Sequence, residues 1–283
     1  MRVGHFARGA GLSALLVVPV PAAAASWGAT FFGDMHYSRY NFTDIPPYGG
    51  LDGSAVVRTV WWPGGGNRMG LFGNATLVGT SSKDFFWQRF LQLEVGIQYY
   101  PFKPTSALRS VRANVAIARR GYYGNRGSSP LETADVQAGL DYYYDNLFEE
   151  RTMAVIAYTA AGYRRTNFSL RPYDTFLWFG NVKLGPMRRS GRSTIVAYGV
   201  AEWTYAPTHP DRFWENSVRI GAGARWEPAA RHPTSDLARR FNVYAELLHN
   251  VAWLKAPPRT SIGARDVRIG IGFSAANLFR RRQ

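Results

Sequence analysis

His36-Tyr37-Ser38-Arg39-Tyr40-Asn41 sets a base and a hydroxyl close together in this chain of 283 residues. In an extended strand His36 and Ser38 share a face, the relation an imidazole needs to activate a hydroxyl nucleophile. Two strand rises still part them by roughly 6–7 Å, so direct proton transfer is awkward and no catalytic residue is assigned. His209, His232 and His249 stand in loop-like sequence or alone, none with a second ligand at metal-binding spacing. The absence of cysteine removes thiolate metal sites, cysteine nucleophiles and disulfides together. Gly64-Gly65-Gly66 lacks the lysine of a phosphate-cradling loop and reads as a tight turn. No cofactor and no metal are therefore expected, and the chain is read as a non-enzyme.

What the sequence does contain is alternation. Val267, Ile269, Ile271 and Phe273 alternate with Arg268, Gly270, Gly272 and Ser274, and Val218, Ile220, Ala222, Ala224 and Trp226 with Ser217, Arg219, Gly221, Gly223 and Arg225. A helix would scatter those arginines around its axis, whereas a strand gathers them on one face. Leu91 to Tyr99 and Val111 to Ile117 repeat the pattern, and further strands are expected near 27–42, 51–62, 68–80, 131–145, 151–166, 173–185, 193–206 and 240–253. That makes about twelve, most of them longer than the roughly 9 to 11 residues that carry a tilted strand across a bilayer. Turn signals such as Pro63 to Asn67, Gly121 to Pro130 and Ala256-Pro257-Pro258 separate them. Aromatics gather at strand ends, as in Trp61-Trp62, Tyr99-Tyr100 and Trp203 with Tyr205, where rings meet lipid headgroups. The expected fold is an all-β, transmembrane, antiparallel up-and-down barrel of about twelve strands. A mean hydropathy of −0.23 does not oppose it, because a barrel hides its apolar residues in every second position.

The first 25 residues set the expected compartment. A basic start (Arg2, Arg8), an apolar run from Gly11 to Pro21 and Ala23-Ala24-Ala25 form a signal peptide pattern cut before Ser26. The expected organisation is a cleaved signal at 1–25, a barrel over 26–279 and a basic tail at 280–283, located in a bacterial outer membrane. The formal charge is +15, or +13 once Arg2 and Arg8 are removed. In an exported protein such an excess points to outer-membrane lipid or lipopolysaccharide, an acidic polysaccharide or a periplasmic secretion partner, and not to nucleic acid.

If the apolar parity faces lipid, the other lines the lumen: Asp34, His36, Arg58, Glu94, Arg112, Asp141, Lys183, Glu202, Arg219, Arg225, Glu246 and Arg268. Acids and bases interleave, which fits either a narrow polar pore or a lumen closed by its own salt bridges. The turns on the side of the chain ends hold Arg188, Arg189, Arg192, Arg239 and Arg240, a basic periplasmic rim that would meet headgroups or gather an acidic polymer. His249 breaks the alternation, as a bulge or a position at the opposite rim would require.

Gly96-Ile97-Gln98-Tyr99-Tyr100-Pro101-Phe102, the strand running on to Arg119-Arg120, Trp178, the strand Tyr198 to Tyr205 and the closing Val267 to Phe273 resemble the carboxyl-terminal barrels of NfrA-type bacteriophage-adsorption and exopolysaccharide-secretion proteins. That resemblance supplies no catalytic residues; it implies a role in passing or anchoring a surface polysaccharide. The leading expectation is a non-enzymatic barrel for exopolysaccharide secretion or surface assembly. A small-solute porin or structural barrel stands beside it, and an outer-membrane lipid hydrolase behind both.

Overall fold

The computed structural model describes residues 26–41, 48–63, 68–81, 89–103, 105–123, 132–147, 151–168, 173–191, 193–207, 216–228, 241–254 and 265–276. The expected signal segment 1–25, residues 277–279, the tail 280–283, Arg192, Arg239, Arg240, His209, His232 and Gly64 to Gly66 lie outside the described residues.

Twelve strands follow in order: β1 (Ser26–Asn41), β2 (Tyr48–Trp62), β3 (Met69–Thr80), β4 (Phe90–Tyr99), β5 (Arg112–Tyr122), β6 (Glu132–Asp145), β7 (Met153–Phe168), β8 (Tyr173–Ser190), β9 (Ser193–Tyr205), β10 (Ser217–Glu227), β11 (Phe241–Trp253) and β12 (Arg265–Ala276). Each pairs antiparallel with its sequence neighbours, and β1 pairs with β12 from Thr30 opposite Ala276 to Asn41 opposite Arg265, so the sheet closes on itself. Period-two chemistry drives this directly. Residues opposite one another in the ladder point to the same side, and the register sets Leu93, Val95 and Ile97 beside Ala75, Leu71, Ile117 and Val115 on the outer face. Leu93, Val95 and Ile117 are 56%, 57% and 60% exposed, a waste of apolar surface in water and a requirement in lipid.

Aromatic rings mark both ends of this apolar wall. Trp27 packs on Trp61 at 6.1 Å near the end that holds the termini, with Tyr99 and Trp226 on the same rim. Trp178 meets Trp203 edge-on at 5.8 Å nearer the other end, where Tyr37, Tyr163 and Phe176 are also exposed. Gly180 makes room for the Trp203 ring of the second pair, because a Cβ there would come within 2.5 Å of it.

Two departures from simple alternation shape the ends. The sequence predicts a turn over 186–192, yet β8 runs through Pro186 to Ser190. Pro186 cannot donate to the ladder, but β7 and β9 continue on both sides and the Met187 amide donates to the Thr152 carbonyl at 2.7 Å, so pairing resumes. Pairing reaches Ser190 opposite Ser193, and Gly191 beyond it lies in the left-handed region at φ 55°. In β11 the register against β10 slips at Val218/Arg219, which pair with Ala252 and Asn250. The extra residue is Val251, two positions after His249, which is exposed on the outer face near the rim opposite the termini.

The interior is not an open tube. Leu147, just past the end of β6, joins Ala154, Ile156, Met187, Val196, Tyr198, Val200 and Leu248 in one buried apolar cluster. Arg189 holds that segment in place by donating to the Leu147 carbonyl at 3.0 Å. Because Ile117 is outward and mid-strand, Ile117→Arg is expected to cost about 2–4 kcal/mol of stability in bilayer vesicles. The same charge at inward Thr76 should cost much less, as measured by denaturant unfolding of the two variants side by side.

Candidate functional site: the charged lumen

Every residue expected on the lumen side has inward parity, and the bonds they make show what that face is. Lys183 on β8 is ion-paired with Glu246 on β11, two strands beyond its nearest neighbour, with the Lys183 ammonium 5.2 Å from the Tyr198 ring and 5.6 Å from the Tyr244 ring. Arg268 on β12 reaches Glu202 on β9 at 2.9 Å, Glu246 at 3.9 Å and Asp266 at 2.7 Å. Arg219 on β10 joins the same group through Glu202 at 3.1 Å and Asp266 at 3.3 Å. Bonds between strands that are not adjacent must cross the interior, so these three cations and three carboxylates form one layer spanning the lumen beneath β8 to β12. Tyr198 donates its hydroxyl to Glu246 at 2.7 Å, and Tyr244 donates to Asp34 at 2.9 Å, extending the layer to β1. Glu246 and Asp266 side chains are only 2% exposed, which is tolerable because each has cations on it.

A second group lies under β2 to β7. Arg58 donates to Gln98 at 2.6 Å and Asn74 at 3.2 Å while lying 3.9 Å over the Phe72 ring. Asn74 in turn donates to Glu94. Arg112 grips Asp141 at 2.9 Å, with Asn114 on the same oxygen. Sequence reading missed Asp135, whose carboxylate is 1% exposed between Arg120 and Arg164, each at 3.9 Å. Its parity made it legible, but its neighbours Ala134 and Val136 sit in a noisier strand. Arg225 pairs with Glu227 at 2.5 Å on its own strand.

The proposed nucleophile and base are not assembled. His36 Nδ1 lies 2.6 Å from Asp34, and the Ser38 hydroxyl is buried with no hydrogen-bond partner among the described residues. The basic rim is divided by the barrel wall: Arg188 is exposed on the outer face, while Arg189 points inward to Leu147.

Above the ion-pair layer, towards the end of β9 and the start of β10, the lumen holds a pocket of about 240 Å³ lined by Tyr158, Phe179, Asn181, Glu202, Thr204, Ser217 and Arg219. The Tyr158 and Phe179 rings stand 5.8 Å apart. Beyond Thr204 and Ser217, Asn216 ties β9 to β10 by bonding both the amide and the carbonyl of Ala206, at 2.9 and 3.3 Å. Aromatic faces beside an amide, a carboxylate, a guanidinium and hydroxyls are what binds a ring carrying many hydroxyl groups.

A closed barrel with an apolar wall between aromatic girdles, and with its mid-strand ion pairs turned inside, satisfies its backbone in lipid and has no use for those surfaces in water. The protein is a barrel of the bacterial outer membrane. No protein-family model and no curated protein matches this outer-membrane barrel. Among solved structures it is similar to an outer membrane channel from Pseudomonas putida F1, at 11% identity and TM-score 0.41 over 92% of this chain and 96% of that one. It is also similar to the translocator domain of the autotransporter NalP from Neisseria meningitidis, at 9% identity and TM-score 0.37 over 88% of each chain. The NanC porin matches at 10% identity and TM-score 0.38 over 85% of this chain and 98% of that one.

Arg268→Met removes the cation shared by Glu202, Glu246 and Asp266 and leaves only Arg219 and Lys183 on three buried carboxylates; it is expected to lower unfolding free energy by about 3 kcal/mol. Arg188→Gln, on the exposed outer rim, should stay within about 0.5 kcal/mol, both read from urea unfolding in detergent.

Proposed function

We propose that this outer-membrane barrel is a non-enzymatic conduit for saccharide, serving secretion or surface assembly of an envelope polysaccharide. The observation that carries the reading is the lumen pocket: two aromatic rings and a ring of hydrogen-bonding groups, directly above the ion-pair layer. A sugar ring stacks its apolar face on tyrosine or phenylalanine while its hydroxyls bond to Asn181, Glu202, Thr204 and Arg219. The pocket admits one ring, so it suits a chain moving residue by residue and not a large ligand held whole. The resemblance of Gly96 to Phe102 and the strand running to Arg120 to NfrA-type barrels supports the same class of substrate.

The ion-pair layer gives the conduit a constriction. A general diffusion porin needs an unobstructed aqueous channel, and the bonds from Lys183 to Glu246 and from Arg268 to Glu202 obstruct this one. Passage therefore requires the polymer's hydroxyl and acid groups to exchange with those pairs.

In planar bilayers the protein should show low conductance that soluble oligosaccharides reduce further in a concentration-dependent way. Tyr158→Ala and Phe179→Ala should each weaken that block about tenfold, the loss of roughly one stacking contact of 1–2 kcal/mol. Conductance indifferent to saccharide in the unaltered protein would contradict the proposal.

A further inference from the structure

His249 interrupts the apolar parity of β11, and the register shows what it joins on the outer wall. It stands directly opposite Arg265 on β12, while Arg39 on β1 stands opposite Val267, one side-chain step from Arg265 on the same face. Residues directly opposed lie roughly 5 Å apart and diagonal ones roughly 7–8 Å, so side chains of this length can close on one small anion. All three are exposed. Tyr37, the next outward residue below Arg39, adds a hydroxyl. Its ring leans towards Gly49, the residue opposite Arg39, where a Cβ would come within 2.9 Å of the Tyr37 oxygen.

No described carboxylate answers these charges. The acids on the five strands around the cluster are Glu227 on β10, Glu246 on β11, Asp266 on β12, Asp34 on β1 and Asp52 on β2, and every one has inward parity. Asp266, the chain neighbour of Arg265, directs its carboxylate inside to Arg219 and Arg268. Arg39, Arg265 and His249 have no ion-pair partner among the described residues. The outward arginines on the far side of the barrel are placed differently: the register sets Asp174 opposite Arg165, and Glu132 diagonal to Arg119.

The level of the cluster identifies the source of its counter-charge. Leu247, Val267 and Ile269, directly below it on β11 and β12, are exposed apolar residues of the lipid-facing band. The cations therefore stand at the upper edge of the hydrocarbon, where the anions at hand are lipid headgroups. This rim is opposite the one where β1 begins and β12 ends, so it meets the outer leaflet when those ends stay in the periplasm.

We propose that Arg39, Arg265 and His249, with the Tyr37 hydroxyl, bind the phosphate monoester of an acylated lipid of the outer leaflet, of the lipid A class. The site is independent of what passes through the lumen. The two guanidinium groups take the phosphate oxygens in fork geometry, the imidazole and the Tyr37 hydroxyl donate to it, and acyl chains lie on Leu247, Val267 and Ile269. A monoester suits the site because it presents three acceptor oxygens and close to two negative charges to two fixed cations.

The test is native mass spectrometry of the detergent-purified full chain, each variant first shown to be folded by heat-modifiable gel migration. Bisphosphorylated hexa-acyl lipid A and its dephosphorylated form, with the same acyl chains, are titrated separately, and equimolar inorganic phosphate is added as competitor. Arg39→Gln/Arg265→Gln is expected to lose about tenfold or more in affinity for the phosphorylated lipid and nothing for the dephosphorylated one. Arg119→Gln/Arg165→Gln should bind as the unaltered protein does, and inorganic phosphate should not compete. Unchanged affinity in Arg39→Gln/Arg265→Gln, or equal affinity of the unaltered protein for the two lipids, would overturn the proposal. So would equal loss in Arg119→Gln/Arg165→Gln, which would mean a diffuse basic belt, or displacement by inorganic phosphate, which would mean an anion site without a lipid.

Discussion

Closure between β1 and β12 is the constraint on which the rest of the structure rests. Inside a bilayer an unpaired backbone amide or carbonyl costs several kcal/mol, and an open sheet of eleven ladders would leave two strand edges in hydrocarbon. The twelve-residue register from Thr30 to Asn41 against Ala276 to Arg265 removes both edges. Once the sheet is closed, side-chain parity has only two destinations, lipid and lumen. A one-residue slip at any ladder would exchange them, setting Arg268 or Glu94 in hydrocarbon, so closure and patterning enforce one another.

The cost of that arrangement appears inside. A barrel of this width brings facing strands close enough for long side chains to meet, and the chain fills the space with ionic groups. Their burial is offset by partner multiplicity: Arg268 serves three carboxylates, and Glu202 accepts from two arginines. Such a network fixes the cross-section of the lumen, because removing any one charge leaves others uncompensated. The apolar cluster around Leu147 and Met187 blocks part of the lumen nearer the termini. The pocket bordered by Tyr158 and Phe179 is then the space left above the charged layer, and its chemistry follows from which residues line it.

Strand positions were legible in the sequence because a two-sided environment imposes a two-residue period on every strand. Val267 to Phe273 and Val218 to Trp226 could be assigned a face from their neighbours alone. The end of β8 was not legible, since Pro186 signals a break that only the continuing β7 and β9 override. Partners across the lumen were hidden for a different reason. That Lys183 meets Glu246, sixty-three residues away, depends on barrel curvature and stagger, which no local pattern encodes.

The central claim is that two faces of opposite chemistry lie on either side of one closed wall, and single-cysteine scanning measures it most directly, since the native chain contains no cysteine. Cysteines placed one at a time from Leu91 to Tyr99 and from Val218 to Trp226, in protein folded in vesicles, would be reacted with a small water-soluble thiol reagent and with a membrane-confined one. Labelling should alternate residue by residue, with Glu94 and Arg219 reached from water and Val95 and Ile220 from lipid. Uniform labelling along either strand, or alternation with the two reagents exchanged, would contradict the account.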